Sequence, residues 1–229
     1  ITDDNLQVLL AMNFTPSGGQ VWQLPVGAGD DKQWQEFMTF GPEDAMTSGP
    51  AGFDKTGDAL YYEDSRDRNT AALFAMDLPD GQPQLIAEDD RSDIGGVLAH
   101  PTEKTIQAVS FTYSRLEWKI LDEAIRPDFE YLQGVEDGEV LVTSRTTDDT
   151  QWTVAYLLDD GPVKFYRYMR QPERKATYLF SSRDDLEDYW LVKMHTPVIS
   201  SRDGLPLVSY LSLPAGSDAD GDGRPDEPV

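Results

Sequence analysis

Short apolar runs that end at Gly, Asp or Pro recur along most of this chain. The clearest series lies between residues 52 and 90 and reads GFDKTGDALYYEDSRDRNTAALFAMDLPDGQPQLIAEDD. Alternation of apolar and polar residues within the runs predicts β-strands, and the Gly, Asp and Pro residues predict the turns between them. A series of this kind cannot bury its own apolar faces, so it needs similar neighbours. Looser versions lie on both sides, and together they predict the blades of a β-propeller.

Four such blocks follow one another, at residues 6–40, 52–90, 97–122 and 139–182. Their spacing is roughly the 40–50 residues of one blade. The strands predicted in the first block are LQVLLAMNF, QVWQLPV and WQEFMTF, and those in the last are EVLVTSRT, WTVAYLL, KFYRYMR and ATYLFSS. We predict an all-β fold, a partial β-propeller of about four blades from a seven- or eight-bladed parent, with a short inserted helix. Because the repeats are degenerate, a β-sandwich remains the alternative.

The inserted helix is predicted at residues 122–133, DEAIRPDFEYLQ. Ile125, Phe129 and Leu132 are spaced as i, i+4 and i+7, which puts them on one helix face. Pro127 fits the first helical turn, so the regular part is expected to begin there. Gly134 is expected to end it.

Charge excludes several classes of partner. The chain has 42 acidic and 19 basic residues, a formal net charge of −23, and no cysteine. Nucleic acid and anionic membrane surfaces both attract cationic proteins, so we expect neither as a partner. Paired aspartates occur at predicted turns (Asp30-Asp31, Asp89-Asp90, Asp148-Asp149, Asp159-Asp160, Asp184-Asp185). These pairs fit turns on the well-solvated rim of the predicted propeller, where Asp is favoured. The alternative is that their charge steers cationic substrates towards the protein.

The sequence pattern changes after residue 188. YWLVKM leads into HTPVISSRDGLPLVSYLSLP, which predicts a hairpin with an Arg202-Asp203-Gly204 turn, and the acidic segment AGSDADGDGRPDEPV follows. PVISSRDGLPLVSYLSLP resembles the junction hairpin of the prolyl oligopeptidase family of serine peptidases, in particular its acylaminoacyl-peptidase-like and dipeptidyl-peptidase-like members. GFDKTGDALYYEDSRDRNTAALFAMDL and QAVSFTYSRLEW are similar to blades of the same proteins. The resemblance extends from about residue 40 to the end of the chain.

This resemblance implies a domain organisation and a function. It implies a partial β-propeller over residues 1–188 and, over residues 189–229, the junction and first β-hairpin of an α/β-hydrolase domain. In that family a His-Gly-Gly motif and a G-x-S-x-G nucleophile elbow come later, and this sequence contains neither. We expect His100 and His195 to be non-catalytic and the fragment to be inactive as a peptidase, with its active site beyond residue 229.

The resemblance also implies partners. In the intact enzyme these would be a peptide substrate, whose access the propeller restricts, and the chain's own C-terminal hydrolase domain. Exposed blade edges predict homo-oligomers. A stand-alone binding or scaffold propeller without catalytic activity is the alternative. The chain starts at Ile1, so we expect a longer gene product or a removed signal. A periplasmic or secreted location follows only by analogy, and the compartment stays open.

Three arginines are candidates for contact with substrate. Arg66 and Arg68 lie in the predicted loop SRDRNT, and Arg115 lies in TYSR. In the family that the chain resembles, loops at the propeller mouth can reach the substrate. A guanidinium offers several donors in a fixed fork, which suits a peptide carboxylate or carbonyl. The alternative is a local salt bridge to Asp64, Asp67 or Glu117.

The acidic segment contains a candidate calcium loop. Asp218, Asp220, Asp222 and Asp226 match positions 1, 3, 5 and 9 of such a loop, and Gly223 matches position 6. Alternate carboxylates can fold around one hard cation while the glycine permits a sharp turn. Position 12 is Val229 where a bidentate Glu is usual, so weak calcium binding is the expectation. An acidic surface linker without a cofactor is the alternative.

Overall fold

The structure is a computed structural model that describes residues 1–27 and 33–226. It contains two compact units, Ile1–Thr112 and Tyr113–Val229. Among the described residues, no helix is long and apolar enough to cross a membrane. The Asp30-Asp31 pair and Val229 lie outside the described residues.

The first unit consists of antiparallel sheets whose strands follow one another in chain order. Its first sheet contains β1 (Ala11–Phe14), β2 (Gln20–Val26) and β3 (Gln33–Phe40). The second contains β4 (Gly49–Phe53), β5 (Ala59–Asp64), β6 (Ala72–Asp77) and β7 (Gln84–Ala87). β8 (Ile94–Ala99) then pairs with β9 (Ile106–Thr112). The strands predicted from the 52–90 block therefore form one meander.

The first strand is shorter than the sequence predicts. LQVLLAMNF predicts a strand from Leu6, but β1 begins at Ala11. Leu6 has a φ of 63°, and the Asp3 carboxylate accepts hydrogen bonds from the amides of Asn5 and Gln7. This local turn competes with the extended conformation, so the apolar run alone overestimates the strand.

Aromatic side chains from neighbouring strands form the core of the first unit. Trp22 of β2, Phe40 of β3 and Tyr62 of β5 are each at most 1% exposed. The ring centroids of Trp22 and Phe40 are 4.7 Å apart, and those of Trp22 and Tyr62 are 6.2 Å apart. The inward residues alternate along β5, as expected for a strand with one buried face. The core thus joins the first two sheets.

The second unit begins with β10 (Leu116–Ile120), a 3-10 turn (Glu123–Ile125) and the helix α1 (Arg126–Leu132). A four-stranded antiparallel sheet follows, with the order β11 (Glu139–Arg145), β12 (Gln151–Leu157), β13 (Lys164–Met169) and β14 (Lys175–Ser181). A second 3-10 turn (Asp184–Leu186) leads to four short strands, β15 (Met194–His195), β16 (Val198–Ser200), β17 (Pro206–Val208) and β18 (Leu211–Ser212).

The predicted helix is confirmed. The Asp122 carboxylate caps the preceding 3-10 turn by accepting from the Ala124 amide, and α1 begins one residue before Pro127. Ile125, Phe129 and Leu132 are all at most 3% exposed. Phe129 packs between two tryptophan rings, with centroids 5.5 Å from Trp118 and 6.1 Å from Trp152. The apolar spacing correctly identified the helix face that is buried.

The hairpin predicted after residue 188 is also confirmed. β16 pairs antiparallel with β17, and β15 pairs with β18. Gly204 in the predicted turn has a φ of +86°, a backbone conformation that glycine adopts without steric cost. A domain boundary at residues 188 and 189 remains a prediction.

Candidate functional site

Arg66 lies in the loop after β5 and is held by a carboxylate two residues earlier. Its Nε donates to both oxygens of Asp64, at 3.0 and 3.1 Å, and its Nη2 lies 2.6 Å from Oδ2. The guanidinium also stacks 4.4 Å from the centroid of the Phe40 ring. The hydrogen bond to Asp64 raises the pKa of Arg66. One of the local pairs proposed as the alternative is therefore present.

Arg68, in the same loop, has partners that the sequence did not indicate. Its Nη2 donates to the Glu88 carboxylate, and its Nε donates to the Thr70 carbonyl at 3.1 Å. The side chain is 26% exposed. Both arginines of this loop are thus engaged within the first unit.

Arg115 of the second unit contacts a buried carboxylate. Its Nη2 lies 2.8 Å from Oδ2 of Asp159, whose side chain is 6% exposed, whereas that of Arg115 is 42% exposed. The same Asp159 oxygen accepts from the Met194 amide at 2.9 Å. Burial by itself would raise the pKa of Asp159, but the Met194 amide and the Arg115 charge hold the pKa below its ordinary value. Asp159 therefore connects Arg115 to the start of the junction hairpin.

Three of the four predicted calcium ligands converge. Asp218, Asp220 and Asp222 each offer a carboxylate oxygen, and these oxygens lie within 4.8 Å of one another. The amides of Asp222 and Gly223 donate to Asp218 at 3.0 and 3.1 Å, which curls the loop around that carboxylate. Hard oxygen ligands in this arrangement suit Ca²⁺.

The remaining residues around this loop have other roles. The Asp226 carboxylate accepts from the Ala219 amide at 2.9 Å. Nε2 of His195 lies 2.9 Å from Oδ2 of Asp218. His100, in the first unit, accepts from the Glu103 amide through Nδ1 at 3.1 Å. Both histidines thus have partners that fit a structural role.

Sequence reasoning missed a buried ionic network in the second unit. Asp128 of α1 is 1% exposed and accepts from the hydroxyl of Tyr168 at 2.8 Å and from Nε of Arg170 at 3.0 Å. Arg170 also donates to the carbonyl of Asp149 at 3.0 Å. Asp149 accepts from the indole of Trp152 at 2.7 Å. No short-range spacing signals these contacts, because the partners of Asp128 lie 40 or more residues away.

Comparisons with solved structures identify the fold. No protein-family model matches the chain. Among solved structures, prolyl oligopeptidase B from Galerina marginata has a TM-score of 0.59 at 14% identity, covering 91% of this chain and 30% of that one. A puromycin-hydrolyzing peptidase from Mycobacterium tuberculosis has a TM-score of 0.55 at 14% identity, covering 88% and 31%. The predicted propeller-type fold is therefore confirmed.

Sequence relatives give the finer comparison. Dipeptidyl aminopeptidase BIII of Pseudoxanthomonas mexicana is 43% identical over 229 residues, which is 100% of this chain and 33% of the relative. Dipeptidyl peptidase family member 6 of Caenorhabditis elegans is 31% identical over 220 residues, which is 93% of this chain and 30% of the relative. The chain spans about a third of the length of these curated relatives. These relatives and structural neighbours support the prolyl oligopeptidase family, and the chain corresponds to part of the peptidase propeller region.

Proposed function

We propose that this chain restricts the access of peptides to a serine-peptidase active site in an α/β-hydrolase domain of a longer protein. The observation that carries this proposal is the 43% identity to a dipeptidyl aminopeptidase, which extends over the whole chain and covers a third of the relative. The chain corresponds to part of a peptidase propeller region, which we propose surrounds the reaction site. Peptides are therefore the proposed substrates, and the hydrolase domain is the proposed partner within the same polypeptide.

Contacts within the second unit support this role. The junction hairpin is attached to the sheet region at three points: the Met194 amide donates to Asp159, the Tyr210 hydroxyl donates to the Ser114 carbonyl, and the Lys193 ammonium pairs with Asp137. A hairpin anchored in this way would hold the first strands of a following domain in a fixed position against the propeller. A fixed position is what a size-selective entrance requires.

Arg115 is the proposed contact for substrate at this entrance. Its side chain is 42% exposed and its Nη2 donates to Asp159, so we propose that the other donors of the guanidinium reach substrate. Arg66 and Arg68 are weaker candidates, because each uses several donors for local partners. The role of all three in substrate entry remains a proposal.

Peptide substrates of increasing length test whether the chain restricts access to the active site. In the full-length protein we expect hydrolysis of short chromogenic peptides and a steep fall in kcat/KM as the peptide grows or folds. Asp159→Ala releases both Arg115 and the Met194 amide, so it should loosen the entrance and reduce this dependence on length. Asp185→Asn, at an exposed carboxylate of a 3-10 turn, is the matched control and should leave the length dependence unchanged.

A second measurement separates substrate contact from structural support. Arg115→Gln should raise KM for short peptides by about tenfold or more without changing kcat, as expected for loss of one charge-assisted hydrogen bond. The proposal fails if the full-length protein hydrolyses no peptide. It also fails if folded proteins are cleaved as readily as short peptides.

A further inference from the structure

The second unit contains a cavity to which none of the candidate sites above assigns a role. Its volume is about 600 Å³, and it lies between the loops before β11, after β12 and after β14. Apolar side chains, including Leu158, Pro162 and Leu186, form part of its lining. This volume is in the range of sites that hold small organic ligands or a peptide side chain.

The charged lining of the cavity is mostly acidic. Glu136, Asp137, Asp160 and Glu187 line it. Lys164 pairs with Glu136 at 3.1 Å, and Lys193 pairs with Asp137. Within residues 1–27 and 33–226, no salt bridge neutralises Asp160 or Glu187. The cavity therefore carries unbalanced negative charge beside its apolar lining.

Three tyrosines complete the lining and give it aromatic character. Tyr166 is 9% exposed, and its ring packs edge-on against that of Tyr178, with centroids 5.6 Å apart. The Tyr178 hydroxyl donates to Oε1 of Glu187 at 3.3 Å. Tyr189 lines the cavity and is 67% exposed. Aromatic faces next to carboxylates attract organic cations through the ring quadrupole and direct charge pairing.

The ionisation of neighbouring groups agrees with a negative potential here. Burial and then the hydrogen bond to Glu136 raise the pKa of Tyr166. The hydrogen bond and charge of Asp137 raise the pKa of Lys193, and Asp160 adds to that effect. An anionic ligand would be repelled from this site. A hard metal ion is also a poor fit, because the acidic trio whose oxygens converge in the described part of the chain is Asp218, Asp220 and Asp222.

We propose that this cavity binds an organic cation, a guanidinium or alkylammonium group carried by a small amine or by a basic side chain of a peptide. The cation would pair with Asp160 and Glu187, and its stem would lie against the tyrosine rings. This site stands independently of the peptidase proposal, because it is defined by residues of this chain and is tested by binding alone.

Calorimetry on the purified protein tests the site with three probes. Agmatine presents the cation on a free small molecule, the capped peptide acetyl-Ala-Arg-Ala-amide presents it on a peptide, and the same peptide with citrulline in place of arginine removes the charge. We expect saturable binding of at least one cationic probe, weakened by salt because part of the attraction is screened. Binding of agmatine alone identifies small amines as the ligand, and binding of the arginine peptide identifies basic peptides.

Two variants and a control locate the binding. The double variant Asp160→Asn with Glu187→Gln should weaken binding by about tenfold or more, and Tyr178→Leu by several-fold. Glu173→Gln removes an exposed carboxylate from the turn before β14 and should leave affinity unchanged. Thermal unfolding of each variant checks that the fold is kept.

The proposal is overturned if neither cationic probe binds below about 10 mM. It is equally overturned if the arginine peptide binds and the citrulline peptide binds as tightly. Unchanged affinity in a folded double variant would place any binding elsewhere on the surface, and would also overturn it.

Discussion

Tyr62 couples the stability of the first unit to alkaline pH. The side chain is 0% exposed, and its ring stacks on Phe74 with centroids 5.7 Å apart. Burial, and then the Asp64 charge, raise the pKa of Tyr62 to about 12. Because the folded state holds the phenolic proton more tightly, this stabilisation is complete below the unfolded pKa of about 10 and is lost as the pH rises towards 12.

Chemical unfolding at several pH values measures this effect. Between pH 9 and 12 the wild type should lose about 2 kcal/mol of unfolding free energy through Tyr62. Tyr62→Phe should lose correspondingly less. Tyr189, which is 67% exposed, gives the control, since Tyr189→Phe should keep the wild-type pH dependence. Equal losses in wild type and Tyr62→Phe would contradict the assignment.

Individual arginine contacts show what the sequence could and could not predict at this scale. The pairing of Arg66 with Asp64 was predictable, since Arg66 follows Asp64, the last residue of β5, by only two residues. Arg68 instead pairs with Glu88 and Arg115 with Asp159, which are 20 and 44 residues away. Strand pairing brings these partners together, so spacing along the chain carries no signal for them.

At the scale of elements, Asp128 holds α1 against the last sheet. Its carboxylate is 1% exposed and accepts from Tyr168 on β13 and from Arg170 just after it. Arg174 adds a contact at 3.2 Å. Removal of the charge leaves buried guanidinium and hydroxyl donors poorly satisfied, which is costly.

Asp128→Asn should therefore lower the free energy of unfolding by about 3 kcal/mol. Glu130→Gln changes an exposed carboxylate of the same helix and should cost no more than about 0.5 kcal/mol. Denaturant unfolding followed by tryptophan fluorescence reports the change, since Trp152 lies within this network. The assignment is wrong if the two variants unfold alike.

The helix also shows why secondary-structure elements could be predicted from the sequence better than the long-range contacts that hold them in place. Ile125, Phe129 and Leu132 follow the helical period, and the structure buries all three. Asp128 lies between them in the sequence and reads as an exposed polar residue of the first turn. Its burial follows from arginines contributed by the end of β13 and the next loop, which a periodic pattern does not encode.

The acidic loop at residues 218–226 provides a prediction about calcium. Three of its carboxylates already lie within 4.8 Å of one another, so binding requires little rearrangement of the loop. We expect millimolar Ca²⁺ to raise the Tm of the protein and EDTA to remove that gain, because a ligand bound to the folded state stabilises it by mass action.

Variants that remove one carboxylate charge distinguish Ca²⁺ binding at this loop from nonspecific screening of the protein's negative charge. Asp220→Asn and Asp222→Asn should abolish the calcium-dependent rise in Tm, since each removes one of the converging ligands. Asp203→Asn, in the turn of the junction hairpin, is the control and should respond like the wild type. An equal rise in Tm with Mg²⁺, or none with Ca²⁺, would rule out a calcium site.

At the scale of the whole molecule, exposed apolar residues predict self-association. β14 is the edge strand of its sheet, and Tyr178, Leu179 and Phe180 on it are 46%, 46% and 54% exposed. An edge strand with apolar side chains on both faces is a template for pairing with another chain. We therefore predict that the purified chain forms dimers or larger species as its concentration rises, despite a net charge of −23 that opposes contact.

Sedimentation velocity over a wide concentration range tests this prediction. Leu179→Lys places a charge on the edge, which natural sheets use to prevent pairing, and should shift the protein towards monomer. Gln133→Lys adds the same charge at an exposed residue after α1, so it controls for the change in net charge. High salt should strengthen association of the wild type by screening its repulsion, while Leu179→Lys remains largely monomeric. If the wild type stays monomeric at every concentration and salt level, the exposed residues of β14 do not act as an interface.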